Sequence, residues 1–241
     1  MISNDELVEF FDASATTYRF LSQVMFKELN EEAIAALSAQ EWPEDTGNAN
    51  LDSGYALMRR YFAFAAHDAR TQLACEYARV FLAAGVYTKN RRTAVPYESV
   101  FTSEEHIVMQ DSRDDVLARY LEDGFQVNPE LHEPEDHMAF ELEYISTMSE
   151  RAAKLASEGD AAGLRRNIER QIEFIDKHLL NWIGDLRETA AKFAKLTFYM
   201  GVLLVIEGSL EESRAVLLEA LDGMGDIEAC NGACGACALA C

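Results

Sequence analysis

The chain has 241 residues, of which 49% are hydrophobic and 26% charged, so it can bury a sizeable core and is too apolar for a disordered protein. Its 42 acidic and 21 basic residues give a formal net charge of −21, which repels nucleic acid and anionic lipid and attracts cationic partners. We therefore expect no nucleic-acid binding, and either solubility alone or a basic peptide partner explains the charge.

Both ends of the chain bear on membrane insertion and location. The first six residues are acidic at positions 5 and 6 and lack a signal-peptide pattern. The longest uncharged apolar run near the C-terminus, residues 196–206, is shorter than the roughly 20 residues of a membrane-spanning helix. We therefore expect a cytoplasmic protein with no membrane insertion.

Hydrophobic residues recur at helical spacing along most of the chain, which contains only 4 prolines and 13 glycines. Polar loops are expected at residues 42–50 and 85–99, and no alternating pattern is long enough for a sheet. The fold class predicted is all-α, a bundle of about nine to ten helices. In chain order the predicted helices cover residues 4–29, 51–65, 71–83, 103–122, 134–156, 160–182, 188–207 and 210–221.

The segment between Pro129 and Pro134 is predicted to be a hinge, because two prolines bound a short stretch without helical periodicity. It divides the chain into an N-terminal helical part, 1–127, and a C-terminal helical part, 128–225. A cysteine-rich tail, 226–241, follows. Such a hinge could permit a homodimer by domain swapping.

The stretch Glu133, Pro134, Glu135, Asp136, His137 has the composition of a helix start. Proline suits the first helical position, and carboxylates in the first turn are favoured by the helix dipole. We therefore predict that a helix begins at Pro134, with His137 in its first turn and position 141 on the same face. The alternative is that the stretch is a well-capped helix start and nothing else.

Four stretches resemble one known family, in the family's order. Residues 133–142, EPEDHMAFEL, match the E-P-x-D-H-x-x-x-E-L motif of the TorD/DmsD family, the cytoplasmic chaperones of molybdenum-containing oxidoreductases. Residues 73–81, LACEYARVF, followed by 95–101, VPYESVF, resemble its L-x-x-E-Y-x-R-x-F and P-Y-E-S-V segments. Residues 18–26 look like its first helix, and 174–182 resemble its F-x-x-x-H-L-x-x-W stretch.

The resemblance implies a chaperone rather than an enzyme, folded in two helical parts. It implies binding of the twin-arginine signal peptide, or of the apo form, of a molybdoenzyme, and aid to cofactor insertion before export. A nitrate-reductase-type assembly chaperone is the related alternative. No catalytic constellation is recognisable in the sequence, and no cofactor is required.

Binding residues follow from the resemblance together with the chemistry of arginine, whose guanidinium pairs well with carboxylates. The resemblance points to Pro134, Asp136 and His137, and Tyr97 belongs to the second matched motif. The candidate carboxylates for the two arginines are Glu76, Glu98, Glu133, Glu135 and Asp136. The candidate apolar walls are Tyr77, Phe81, Tyr97 and Phe101. For Glu76, Tyr77, Arg79 and Phe81, packing and pairing within a helix is favoured over direct contact with a ligand.

Four cysteines, Cys230, Cys234, Cys237 and Cys241, end the chain with the spacing C-x3-C-x2-C-x3-C. This departs from the family's pattern. Their density could hold zinc or an iron–sulfur cluster, although neither standard ferredoxin spacing matches. A redox-reactive dithiol or a tail that merely carries thiols is the alternative. A metal or cluster carrier acting through these cysteines is therefore a second candidate function.

Overall fold

The computed structural model describes residues 2–65, 68–85 and 93–225. These residues form ten α-helices and no β-strand, which confirms the all-α prediction. A 3₁₀ turn, Pro129–Leu131, precedes the seventh helix, and a π-helical turn, Ile175–Leu179, continues the eighth. In order, the helices are α1 (Asn4–Phe26), α2 (Glu31–Ala39), α3 (Ala49–Phe64), α4 (Ala69–Phe81), α5 (Glu98–Thr102), α6 (Asp111–Glu122), α7 (Met138–Glu158), α8 (Ala161–Phe174), α9 (Ile183–Ala190) and α10 (Phe198–Met224).

Helix α2 is absent from the sequence prediction. The Oδ1 atom of Asn30 accepts a hydrogen bond from the Ala33 amide at 2.8 Å, which caps the helix start. The helix buries only Ile34 and Leu37, so its hydrophobic face is narrow. A short helix of this kind depends on packing more than on its own propensity.

The predicted helix over residues 103–122 is wrong in its first part. The structure instead has α5 at Glu98–Thr102, and α6 begins only at Asp111. His106 and Met109 between them have positive φ angles of 55° and 65°, which a right-handed helix does not allow.

The predicted start of the next helix at Pro134 is also wrong. Helix α7 begins at Met138, and its N-cap is His137, whose Nδ1 atom accepts a hydrogen bond from the Ala139 amide at 3.1 Å. Pro134 and Asp136 therefore precede the helix, because Asp136 is held by another segment. The predicted stop at Gly159 is correct, since Gly159 has φ 73° and caps the helix.

The predicted helices 188–207 and 210–221 are wrong in their division: residues 188–190 end α9, and one helix, α10, runs without a break from Phe198 to Met224. Gly208 does not end it, because this residue faces α3. A Cβ atom on Gly208 would lie 2.8 Å from Leu51 Cγ and 2.9 Å from Asn48 Oδ1. The glycine therefore permits close helix packing and is not a helix stop.

The core is continuous across both predicted parts of the chain. Helix α1 packs along α7, and α3 packs along α10. Buried Tyr18 of α1, for example, donates a hydrogen bond to Ser213 Oγ of α10 at 2.7 Å. The division at residue 127 and the hinge remain predictions. Among the described residues, no helix has both the length and the apolar character needed to cross a membrane.

Candidate functional site

The centre of the site is a junction between residues 96–99 and 136–138. The Met138 amide donates to the Pro96 carbonyl at 2.8 Å, and the Glu98 amide donates to the Asp136 carbonyl at 3.0 Å. Asp136 Oδ2 also accepts a hydrogen bond from the Ser99 amide at 2.8 Å. Asp136 thus caps α5, and the two predicted site segments, far apart in sequence, lie side by side.

Two of the predicted carboxylates are buried in this junction. Asp136 is 0% exposed and Glu98 is 2% exposed. The Glu98 carboxylate lies 3.0 Å from His178 Nδ1 and accepts a hydrogen bond from Asn181 Nδ2 at 3.3 Å. These carboxylates face the interior of the free protein, where they hold α5 and the π-helical turn in place.

Tyr97 and Glu133 form the accessible edge of the junction. The Tyr97 hydroxyl donates a hydrogen bond to Glu133 Oε2 at 2.5 Å. Tyr97 is partly buried and Glu133 is exposed. Burial and the nearby Glu133 carboxylate raise the pKa of Tyr97, so the phenol stays protonated and continues to donate. Pro134 lies next to this pair and is partly exposed.

His137 lies between this pair and a group of aromatic rings. Its ring packs edge-on to Tyr97 with centroids 4.9 Å apart, and it contacts Phe26 at 6.0 Å and Phe140 at 5.6 Å. Burial lowers the pKa of His137 to about 4, so the imidazole is neutral near pH 7. Its role in the free protein is to cap α7 and to join these rings.

A large open groove adjoins His137 and escaped the sequence analysis. Its volume is about 1050 Å³, and Phe26 and Phe140 line it as well as contacting His137. Trp42, which is stacked on Tyr55 with centroids 5.5 Å apart, forms another part of the wall. The remaining larger apolar lining residues include Phe20, Leu29, Leu37 and Leu131.

Charged residues at this groove are mostly acidic. Glu28 and Glu143 line it, together with one cation, Lys27. Burial raises the pKa of Tyr77, and the charges of Glu28 and Glu133 raise it further, so both carboxylates lie within electrostatic range of that phenol. The groove wall therefore carries the exposed carboxylates of Glu28 and Glu143.

Three of the predicted apolar walls and the candidate carboxylate Glu76 are part of the core. Tyr77 and Phe81 pack against each other with ring centroids 5.4 Å apart, and the Tyr77 hydroxyl donates to the Met25 carbonyl at 3.0 Å. Phe101 is stacked on Trp182 with centroids 5.4 Å apart. Glu76 is 0% exposed and accepts hydrogen bonds from the backbone that precedes α10, including the Leu196 amide at 2.7 Å. All four therefore have structural contacts.

Glu135 also has an internal partner. Its Oε2 atom accepts a hydrogen bond from Arg113 Nε at 2.5 Å, and both side chains are largely shielded from solvent. This ion pair fastens α6 to the segment before α7. Glu135 is therefore less available to an incoming arginine than Glu133, which is exposed.

The four C-terminal cysteines lie outside the described residues. Within the described ranges, no group of three or more His, Cys, Asp or Glu side chains is arranged to hold a metal ion. A metal site at Cys230, Cys234, Cys237 and Cys241 therefore remains a prediction.

Comparison with known proteins identifies the family. The model for the family described as nitrate reductase delta subunit matches residues 48–188, which is more than half of the chain. The chain belongs to this family. The match contains both halves of the junction, 96–99 and 136–138, whereas the α1 and α2 wall of the groove lies before it.

Relatives of this chain that are named TorD chaperones confirm the predicted resemblance to the TorD/DmsD family. Chaperone protein TorD of Vibrio parahaemolyticus is 24% identical, over 88% of this chain and 98% of the relative. Chaperone protein TorD of Vibrio cholerae is 26% identical, over 85% of this chain and 92% of the relative. The protein of the same name from Photobacterium profundum is 23% identical, over 88% and 98%.

Proposed function

We propose that this member of the nitrate reductase delta subunit family is a cytoplasmic chaperone, without enzymatic activity, for a molybdenum-containing oxidoreductase. It binds the twin-arginine signal peptide of the apo-enzyme, and it holds the client until the cofactor has been inserted. The observation that carries the proposal is the apolar groove of about 1050 Å³ beside exposed carboxylates.

The groove suits the apolar stretch of a signal peptide. Peptide-binding grooves gain affinity from aromatic and aliphatic walls that remove apolar side chains from water. Here α1, α2 and the loop before α3 provide such walls, with Phe20, Phe26 and Trp42 among them. The partly buried stack of Trp42 on Tyr55 is a rigid surface for an apolar guest.

The paired arginines fit the carboxylates at the edge of this groove. Glu28 on the groove wall and Glu133 beside Tyr97 are both exposed, and the charges of both raise the pKa of Tyr77. Two exposed carboxylates can receive two guanidinium groups without first breaking a buried ion pair. The net charge of −21 increases the attraction of a cationic peptide over a longer range.

The test is calorimetry with a synthetic twin-arginine leader peptide and the Glu28→Gln/Glu133→Gln double variant. We expect about tenfold weaker binding, equal to about 1.4 kcal/mol, because exposed charge pairs contribute modestly. Glutamine keeps an acceptor for the Tyr97 hydroxyl, so the fold is preserved. Raising the salt concentration should weaken wild-type binding more than binding by the variant, because salt screens exposed charges.

The matched control is the Glu9→Gln/Glu219→Gln variant, which removes the same charge from exposed positions away from the groove. It should bind like the wild type. Trp42 fluorescence gives a second measurement, since the other of the two tryptophans, Trp182, is 1% exposed and does not line the groove. Equal affinities of all variants, or Trp42 fluorescence that does not change on saturation, would refute the groove as the binding site.

A second candidate client follows from the family's description as nitrate reductase delta subunit. A nitrate-reductase-type assembly chaperone would use the same groove for an N-terminal segment of its client without requiring paired arginines. Replacing the paired arginines of the leader peptide by glutamine separates the two. A large loss of affinity favours the twin-arginine client, and unchanged affinity favours the nitrate reductase type.

A further inference from the structure

Three buried carboxyl groups lie within electrostatic range of one another where α5, α7 and the segment before α7 meet. Glu98 is 2% exposed, and Asp136 and Glu141 are each 0% exposed. Both carboxyl oxygens of Glu141 and the Oδ1 atom of Asp136 have no hydrogen-bond partner among the described residues. Glu98 and Asp136 hold α5 in place, but neither this role nor the proposed peptide site explains why Glu141 is buried beside them.

The cluster holds little positive charge to compensate three carboxylates. Within the described ranges, His178 is the only ion-pair partner of these acids, and it faces Glu98. The phenols of Tyr97 and Tyr120, whose pKa values the charge of Asp136 raises, and the neutral imidazole of His137 add no positive charge. Trp182 donates its ring N–H to the His178 carbonyl at 2.6 Å. Three ionised carboxylates in this space would repel one another strongly.

Glu141 is the acid whose protonated form the cluster favours. Burial, followed by the charges of Glu98 and Asp136, raises the pKa of Glu141 well above its ordinary value of 4.5. Asp136 is stabilised as a carboxylate by the Ser99 amide, although burial still raises its pKa. The folded protein therefore keeps a proton on Glu141 that the unfolded chain loses above about pH 4.5.

We propose that Glu98, Asp136 and Glu141 form a proton-dependent latch that fastens α5 and residues 133–137 to α7. When Glu141 releases its proton to solvent, a third negative charge enters the cluster. Helix α7 runs through the core, whereas α5 has only five residues and is held through the Asp136 hydrogen bonds. The α5 side therefore moves away and takes Tyr97 and Glu133 with it.

The sign of the pH effect follows from the raised pKa of Glu141. The latch contributes its full stability below pH 4.5, and this contribution is lost as the pH rises toward the pKa of the folded state. One proton linked to opening changes the opening equilibrium by up to about tenfold per pH unit in that window. The amides of Glu98 and Ser99 report the opening directly, because they donate to Asp136.

The experiment is amide hydrogen exchange and denaturant unfolding of the free protein between about pH 6 and about pH 9, in the wild type and in Glu141→Gln. After correction for the intrinsic exchange rate, the wild-type Ser99 amide should lose at least tenfold protection across this range. Glu141→Gln keeps the shape of the side chain but cannot ionise, so its Ser99 protection and its unfolding midpoint should change little.

The matched control is Glu143→Gln, which removes one charge from an exposed position two residues further along α7. It should keep the wild-type pH dependence. Constant Ser99 protection in the wild type overturns the latch, as does an unchanged pH dependence in Glu141→Gln. If Glu141→Gln does not fold, the pH dependence of Ser99 amide exchange in the wild type tests the latch by itself. No peptide is used, so failure of the proposed peptide site leaves this result unaffected.

Discussion

At the scale of single residues, Asp136 is a structural carboxylate in the free protein. It is 0% exposed, and it caps α5 by accepting the Ser99 amide at 2.8 Å. An arginine of a peptide could reach it only after the junction opens. Glu133, three residues earlier, is exposed and is paired only with the Tyr97 hydroxyl among the described residues. The same short motif therefore contains one residue suited to the fold and one suited to a partner.

We expect Asp136→Ala to destabilise the protein by about 1–3 kcal/mol, because it removes a helix cap and leaves the buried Ser99 amide without a partner. Urea unfolding followed by circular dichroism measures this loss. The control Glu130→Ala, at an exposed residue of the 3₁₀ turn, should have an effect below about 0.5 kcal/mol. Unchanged stability of Asp136→Ala, combined with weaker peptide binding, would instead favour a direct contact.

At the scale of helices, close packing of α3 on α10 forms one side of the bundle. Gly54 and Gly201 face each other at this contact. A Cβ atom on Gly201 would lie 2.6 Å from the Gly54 carbonyl oxygen, and one on Gly54 would lie 2.8 Å from the Gly201 carbonyl oxygen. The two backbones approach this closely because neither residue has a side chain. The glycines lower the helix propensity of α3 and α10 but allow the two helices to pack at this distance.

We expect Gly201→Ala to destabilise the protein by about 1–3 kcal/mol, because the new methyl group overlaps a backbone atom that cannot move aside. Gly184→Ala in α9 is the matched control, since its Cβ atom would have no neighbour closer than Glu207 Oε1 at 3.9 Å. This change should be neutral or stabilise by up to about 1 kcal/mol, because alanine favours helix. Denaturant midpoints of the two variants that shift in the same direction would contradict the packing role.

At the scale of the whole molecule, the N-terminal and C-terminal helices form one core, with α1 on α7 and α3 on α10. Residues 226–241 follow α10 and lie outside the described residues. Among the described residues, the groove is lined by α1, α2, α3 and α7 together with Leu131, Trp42 and Val205. Whether the tail contributes to binding is decided by removing it.

We expect that removal of residues 226–241 leaves the unfolding midpoint and the affinity for the leader peptide unchanged, within about 0.5 kcal/mol. Isothermal calorimetry and urea unfolding test this. If the cysteines hold zinc or a cluster, the intact chain purified without oxygen will contain metal or sulfide, and the shortened chain will not. Loss of peptide binding on truncation would support the carrier alternative, or a direct role of the tail, against the proposed site.

The sequence by itself determined the helical class and the family, because helical periodicity and short motifs are local properties. It also identified the two segments that form the junction, 95–101 and 133–142, but it did not determine their conformation. Only the tertiary structure decided that α7 begins at Met138, because the residue before its cap is held by α5. It likewise decided that Glu98, Asp136 and Glu141 are buried together while Glu28 and Glu133 remain exposed. The reason is that burial and charge neighbours depend on contacts between residues distant in sequence, which a local pattern does not record.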